Sequence, residues 1–294
     1  MSFEWFALAA AFLWAFSSLI SVTPARHLGP FAYSRWRMGC VALMLSSMAW
    51  FTGGWQSIES AYFWPMALSG LIGIFIGDTA LFACFNRIGP RQAGLLFSCH
   101  ALFSAVLGYW LFNETMRMVE LLGALLVFSG IVIAIFFNKK RGEHDWEAVK
   151  GNLWVAIVLG LTAGLCQALG GIIAKPVMQT SIDPIAASAI RMCTAFAAHC
   201  MLRATNMPIT LPHKPLNLPI LGAVAMNGFL AMAVGMTLIL YALRDGNVGM
   251  VALLSSTTPI MILPLLWLHT KKRPSRASWI GAILAVIGTG LIVS

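Results

Sequence analysis

The chain has 294 residues, 59% of them hydrophobic and 10% charged, with a mean hydropathy of +0.83. A soluble domain carries about 45–50% apolar and about 25% charged residues, so lipid is the solvent for most of this chain. Its formal net charge of +9 lies in short breaks between apolar runs, without the long basic helix or interleaved aromatics that a nucleic-acid partner requires.

A bilayer core about 30 Å thick takes about 20 helical residues per crossing. Taken in chain order, the apolar runs predict ten transmembrane helices, over 3–22, 31–50, 63–85, 92–112, 117–137, 152–174, 184–203, 217–243, 247–268 and 276–294. A membrane β-barrel would alternate polar and apolar residues in strands of about 10 residues. Continuous stretches such as Leu121 to Phe137 do not alternate.

The first run has no basic leader and is long enough to span, so it reads as a helix and not as a signal peptide. Trp14 lies near its middle, where an interface anchor is out of place, and is a candidate cavity aromatic. The second run starts at Pro30 and carries Arg35 near its interface and Arg37 deeper, at about 10 Å. The third holds the stripe Gly70, Gly73, Gly77 and, next to it, Asp78, the one carboxylate well inside a span. An unpaired charge there costs about 2.5–3.5 kcal/mol. Asp78 therefore either serves a substrate ammonium or proton, or is a buried acid that pairs with an arginine or caps a broken helix.

His100 stands in the fourth run, which ends at Asn113-Glu114; Glu114, with Arg117 nearby, reads as a helix cap or loop ion pair. The sixth run has Gly160-x-x-x-Gly164 and Gln167, the seventh Arg191 and His199, and the eighth Asn227. Gln167 and Asn227 either line a cavity or tie helices together. His100 and His199 are either packing residues or groups that titrate near neutral pH. Pro259 and Pro264 predict a kink in the ninth run that the fourth, lacking prolines, should not share. The six cysteines lie in apolar runs without CxxC spacing, which predicts free thiols, no metal and no disulfide framework.

Self-comparison shows two copies of one unit. Gly70, Gly77 and Thr79 recur as Gly228, Gly235 and Thr237, and Gly123 and Gly130 as Gly281 and Gly288, all at an offset of 158. Pro24 answers to Pro176, Pro30 to Pro184, and Arg37-Met38 to Arg191-Met192, at slightly smaller offsets. The predicted units are 1–137 and 152–294, joined by a charged cytoplasmic linker at 138–151. Five helices per copy is an odd number, so the second copy inserts upside down relative to the first. Inverted repeats around a midplane cavity are a recurring architecture of secondary transporters. Arg37 and Arg191 then approach the midplane from opposite leaflets. Each either holds a substrate carboxylate or closes one mouth in alternation, or simply snorkels to its own interface.

Trp14, the Pro30-to-Arg37 stretch, Gly70 to Gly89, Asn113-Glu114 and the Leu122-Gly123 to Gly130 pattern, in this order and repeated, resemble the drug/metabolite transporter superfamily. The specific likeness is to its ten-helix exporters built from two EamA domains. The resemblance implies an all-α polytopic protein of the inner membrane that exports small organic metabolites, amino acids foremost, by alternating access. The small four-helix relatives use a glutamate in their first helix for proton coupling, and this chain has no acid there. An uncoupled facilitator and an intramembrane lipid-handling enzyme are the competing expectations.

No GxSxG, HExxH, P-loop or paired in-span carboxylates are present, so an enzyme is not expected and no cofactor is required. The expected partners are a small-molecule substrate and membrane lipid; the sequence is silent on oligomeric state. Arg35, Arg37 and Arg191 lie inside spans, and Arg117, Lys175 and Arg244 fall at connections on one side. The other Lys and Arg residues lie at connections 1–2, 3–4, 5–6, 7–8 and 9–10, which places those loops in the cytoplasm and both termini in the periplasm. Trp14, Arg37, Asp78, His100, Gln167, Arg191 and Asn227 are the candidate substrate-binding residues.

Overall fold

A computed structural model describes residues 2–136, 151–270 and 276–293. The predicted linker at 138–151 falls almost wholly outside them. The described residues form helices in this order: α1 (Phe3–Leu28), α2 (Pro30–Thr52), α3 (Ser60–Gly89), α4 (Gln92–Phe112), α5 (Met118–Phe136), α6 (Leu153–Met178), α7 (Pro184–Ala204), α8 (Leu218–Asp245), α9 in two pieces (Val248–Ser255 and Thr258–Thr270) and α10 (Arg276–Val293). The chain is a polytopic, all-helical membrane protein. Among the described residues α1, α3, α4, α6, α7, α8 and the stretch Val248–Leu265 have the length and hydropathy to cross a bilayer on their own. The apolar stretches of α5 and α10 are shorter, Met118–Gly130 and Trp279–Leu291.

Several helices outrun their predicted ends, among them α1, α3 and α6. α1 continues four residues past Pro24 and α6 two residues past Pro176. In lipid a helix tolerates such a proline because neighbouring helices take up loose backbone groups. The helix ends are also held from outside: Asn86 of α3 donates to the Ala25 carbonyl at 3.5 Å, and Arg244 of α8 donates to the Met178 carbonyl at 3.3 Å. Asn86 and Arg244 are repeat partners at the 158 offset, so each half ties down its first helix in the same way.

The repeat extends to departures from α geometry. A π-helical stretch interrupts α3 at Gly70–Ile76 and α8 at Phe229–Met236. α4 breaks at Cys99, and α9 breaks at Ser256 and Thr257. The break in α4 corrects the expectation that prolines would set α9 apart. Cys99 N–H turns back to the Leu96 carbonyl and Ser256 N–H to the Leu253 carbonyl, each at 3.2 Å. A tightened turn of this kind needs no proline.

Glycines set the close crossings. A Cβ on Gly77 would stand 3.0 Å from Cys166 Cβ, and one on Gly164 3.2 Å from the His100 amide, so α6 packs tightly on both α3 and α4. α5 and α10 pack chiefly on each other, Gly130 against the Gly281 carbonyl and Gly288 against that of Gly123. Trp5, Trp50, Trp64 and Trp154 are exposed near helix ends, as interface anchors are.

One end of the bundle gathers Leu28, Pro215 and Thr210: His213 N–H donates to the Leu28 carbonyl, His27 to that of Pro215, and Arg35 to that of Thr210. The opposite end gathers Phe3, Glu114, Lys175 and Gly246.

Candidate functional site

Between the two repeats lies a cavity of about 140 Å3. Its wall draws on α1, α2, α3 and α4 of the first repeat and on α6, α8 and α9 of the second. From the middle of the helices it extends toward the Leu28 end. Trp14, Arg37, Asp78, His100, Gln167 and Asn227 all line it; Arg191 does not.

Two residues that the sequence left 41 positions apart meet here. Arg37 Nη2 forms an ion pair with Asp78 Oδ2, and their side chains are 3% and 9% exposed. This is the buried-acid alternative for Asp78, and it makes Arg37 a partnered cation and not a free carboxylate receptor. The polar partner that completes the pair comes from the other repeat. Asn227 Oδ1 accepts from Arg37 Nη1 at 3.2 Å and from the Tyr33 hydroxyl at 2.8 Å, while its Nδ2 donates to the Ser17 carbonyl at 2.8 Å. Asn227 thus both lines the cavity and ties α8 to α1 and α2. The guanidinium also stacks over the Phe82 ring, 4.7 Å from its centroid, which suits a cation held away from water. Removing either charge would leave the other stranded, at a cost of about 3–5 kcal/mol.

Trp14 serves two purposes. Its ring lines the cavity, and its Nε1 donates at 2.8 Å to the carbonyl of Ala231, inside the π-helical stretch of α8. His100 is buried on the cavity wall, 5.0 Å from the Phe97 ring. His199 lies away from the cavity, sharing a hydrogen bond of 3.1 Å with Thr79 Oγ1 and standing edge-on to Phe75, 4.7 Å away.

Phe82 and Phe85, which helical spacing puts on the face of Asp78, also line the cavity; other lining residues went unnoticed in the sequence: Ser17, Ser18 and Ser21 of α1, Ser98 and the ring of Phe97 of α4, and Ser255 and Ser256 of α9. The serine hydroxyls return hydrogen bonds to carbonyls one turn earlier, for example Ser18 to Ala15 at 2.7 Å and Ser256 to Leu253 at 2.7 Å. A hydroxyl satisfied in its own helix costs little in an apolar segment and leaves no periodic trace. The small-residue spacing Ser17, Ser18, Ser21 was the one available signal.

Arg191 stands apart. It is 2% exposed and does not snorkel, yet it is absent from the cavity wall. Its backbone packs against Gly70 of α3.

The far end is tied shut by polar contacts. Glu114, just past α4, accepts from Lys175 Nζ at 3.0 Å and from the Val248 amide at 3.1 Å, so it pairs with α6 and caps α9. Lys175 Nζ also donates to the Gly246 carbonyl at 2.6 Å, and Arg244 donates to the Ile182 carbonyl at 2.7 Å. Arg117, expected beside Glu114, pairs instead with Glu120 at 2.7 Å.

The family model for the EamA-like transporter family matches residues 1–136 and again 154–294. An uncharacterized transporter of Bacillus subtilis (strain 168), YyaM, is 20% identical over 268 residues, covering 89% of this chain and 84% of that protein. A solved crystal structure superposes over 98% of this chain and 95% of its own, with a TM-score of 0.76 and 16% identity, a likeness of fold. Two copies of one family model, laid end to end over the described helices with a shared cavity between them, assign the chain: it belongs to the EamA-like transporter family.

Proposed function

We propose that the protein is a secondary transporter that exports small organic metabolites, amino acids foremost, across the inner membrane by alternating access. One observation carries the reading: the cavity lies between two pseudo-equivalent halves, reaches toward the Leu28 end and is closed off at the Glu114 end. Helix directions support an inverted arrangement of the halves. α1 starts beside Gly246, where Phe3 packs, whereas α6 finishes there with Lys175. Two similar halves of opposite direction can exchange conformations and so turn the cavity from one side of the bilayer to the other.

The lining suits a small solute with an apolar body, offering Phe82, Phe85, Phe97 and Trp14 for rings or aliphatic chains and hydroxyls for polar atoms. Among the described residues Arg26, Arg87 and Lys214 lie at the Leu28 end, which supports a cytoplasmic assignment for it and a periplasmic one for both termini. The chain moves its solute without transforming it.

Purified protein in proteoliposomes, assayed for flux of amino acids and hydrophobic amines with and without a pH gradient, tests the reading. Saturable flux of at least one amino acid supports it. Flux that only follows the solute gradient would make the protein a facilitator, and absence of flux for every solute would refute the proposal.

A further inference from the structure

The fixed charges of the bundle interior do not balance. Arg37 is neutralised by Asp78. Arg191, at the equivalent place in the second repeat, has no hydrogen bond, ion pair or ring contact among the described residues, and its Nε is buried away from any acceptor. The repeat offset shows why. The position equivalent to Asp78 is Met236, and the position equivalent to Asn227 is Ser69, whose hydroxyl is already given to the Gly170 carbonyl at 2.6 Å. A guanidinium stays protonated in proteins, and a charge held out of water calls for a counter-charge.

The surroundings of this cation are also unusual. Arg191 Nη2 lies 3.4 Å from where a Cβ would stand on Gly73 and 3.4 Å from where one would stand on Gly170; Gly170 Cα is 3.2 Å from the same point on Gly73. The cation thus rests in a slot made by two residues without side chains. Gly73, in the π-helical stretch of α3, also forms part of the cavity wall. Gly73 thus borders both the cation and the cavity. The Ser69–Gly170 hydrogen bond and the contact of Gly70 with the Arg191 backbone hold the slot closed in this conformation. A parting of α3 from α6 and α7 during alternating access would join the slot to the cavity.

We propose that Arg191 and the Gly73–Gly170 slot form the anion-binding pole of the solute site and take the carboxylate of the transported molecule. The cargo is then a small carboxylate-bearing solute, such as an amino acid or another organic acid, and not an organic cation. This rests on the transport reading above. A chloride ion would offer the slot the same single negative charge.

The test compares wild type, R191K and R191Q in proteoliposomes, using leucine, phenylalanine and benzoate against isoamylamine and phenethylamine, which lack the carboxylate. Thermal unfolding of each variant is measured in detergent with and without phenylalanine, and with chloride replaced by sulfate. Wild type is expected to carry carboxylates and not the amines. R191Q should lose about tenfold or more in apparent affinity, the size of a charge-assisted hydrogen bond, and R191K should fall between, keeping the charge without the fork. Without solute, R191Q should melt no lower than wild type, because it removes a charge that has no internal partner; a purely structural arginine would show the opposite. Carboxylate flux in R191Q equal to wild type, or wild-type flux of amines alone, overturns the proposal. A melting temperature that responds to chloride in wild type but not in R191Q, with no such response to phenylalanine, assigns the slot to chloride and overturns the cargo assignment. If no solute crosses in wild type, the transport reading fails and binding decides the site. Phenylalanine raising the melting temperature of wild type but not of R191Q then supports it, and an equal response in both overturns it.

Discussion

Replacing Glu114 with Gln probes how the Glu114 end is held. The side chains of Glu114 and Lys175 are 10% and 7% exposed and their charged atoms are 3.0 Å apart. An amide at position 114 keeps an oxygen for the Val248 amide but withdraws the only carboxylate that Lys175 meets among the described residues. A stranded buried ammonium costs about 3 kcal/mol, at the low end for a broken buried pair because Lys175 keeps the Gly246 carbonyl. Lys175→Met removes the other partner, yet the carboxylate retains two backbone amides at the start of α9, so its loss is smaller, about 1–2 kcal/mol. The double variant E114Q/K175M strands neither charge and should recover about 1–3 kcal/mol of the summed loss. Unfolding in detergent, followed by a thiol-reactive dye on buried Cys84 and Cys166, reports all four proteins. At about 2–4 °C per kcal/mol, E114Q should melt about 6–12 °C below wild type. If the double variant loses the full sum of the two single losses, the pair does not act as a unit and the reasoning fails.

Two further expectations use the same melting assay. Gly70→Ala drives a Cβ into the Arg191 carbonyl, with the Arg191 Cα only 2.7 Å away; both are backbone atoms that cannot step aside, so overpacking should cost about 1–3 kcal/mol. Gly222→Ala, where nothing lies within 4 Å, should change stability little or raise it by up to about 1 kcal/mol through helix propensity, and equal melting of the two variants would contradict this. Trp14→Phe removes the hydrogen bond to Ala231 but keeps a ring on the cavity wall, so it should lose about 1 kcal/mol while solute flux persists, whereas Trp14→Ala should reduce both stability and flux.

Much of the architecture was legible because the residues that encode it have few substitutes. Glycines at close crossings recur at a constant offset and prolines at slightly smaller ones, so the two-unit organisation was visible without any structure. The lining was partly legible for a different reason. Asp78, Arg37, Gln167 and Asn227 are costly in lipid, and their presence alone marks a protein-facing position. Which of them touch could not be read, since the Arg37–Asp78 pair joins two helices and Asn227 reaches it from the other repeat. The serines were illegible because hydroxyls that bond their own helix are compatible with any face. Arg191 was legible as the mate of Arg37 but not in its circumstances: symmetry equates the two arginines, and the substitution of Met236 for an acid breaks the equivalence.

The π-helical stretch ahead of Asp78 has a mechanical consequence. It stores the equivalent of one surplus residue in α3, and Asp78 follows it by two positions. Were that surplus absorbed into regular α-helix, everything beyond Ile76 would swing about the axis by about 100° and advance by about 1.5 Å. Asp78 would be carried off Arg37 with no break in the helix. A ratchet of one residue, built into the backbone and duplicated in α8, would thereby switch the polarity of the chamber wall.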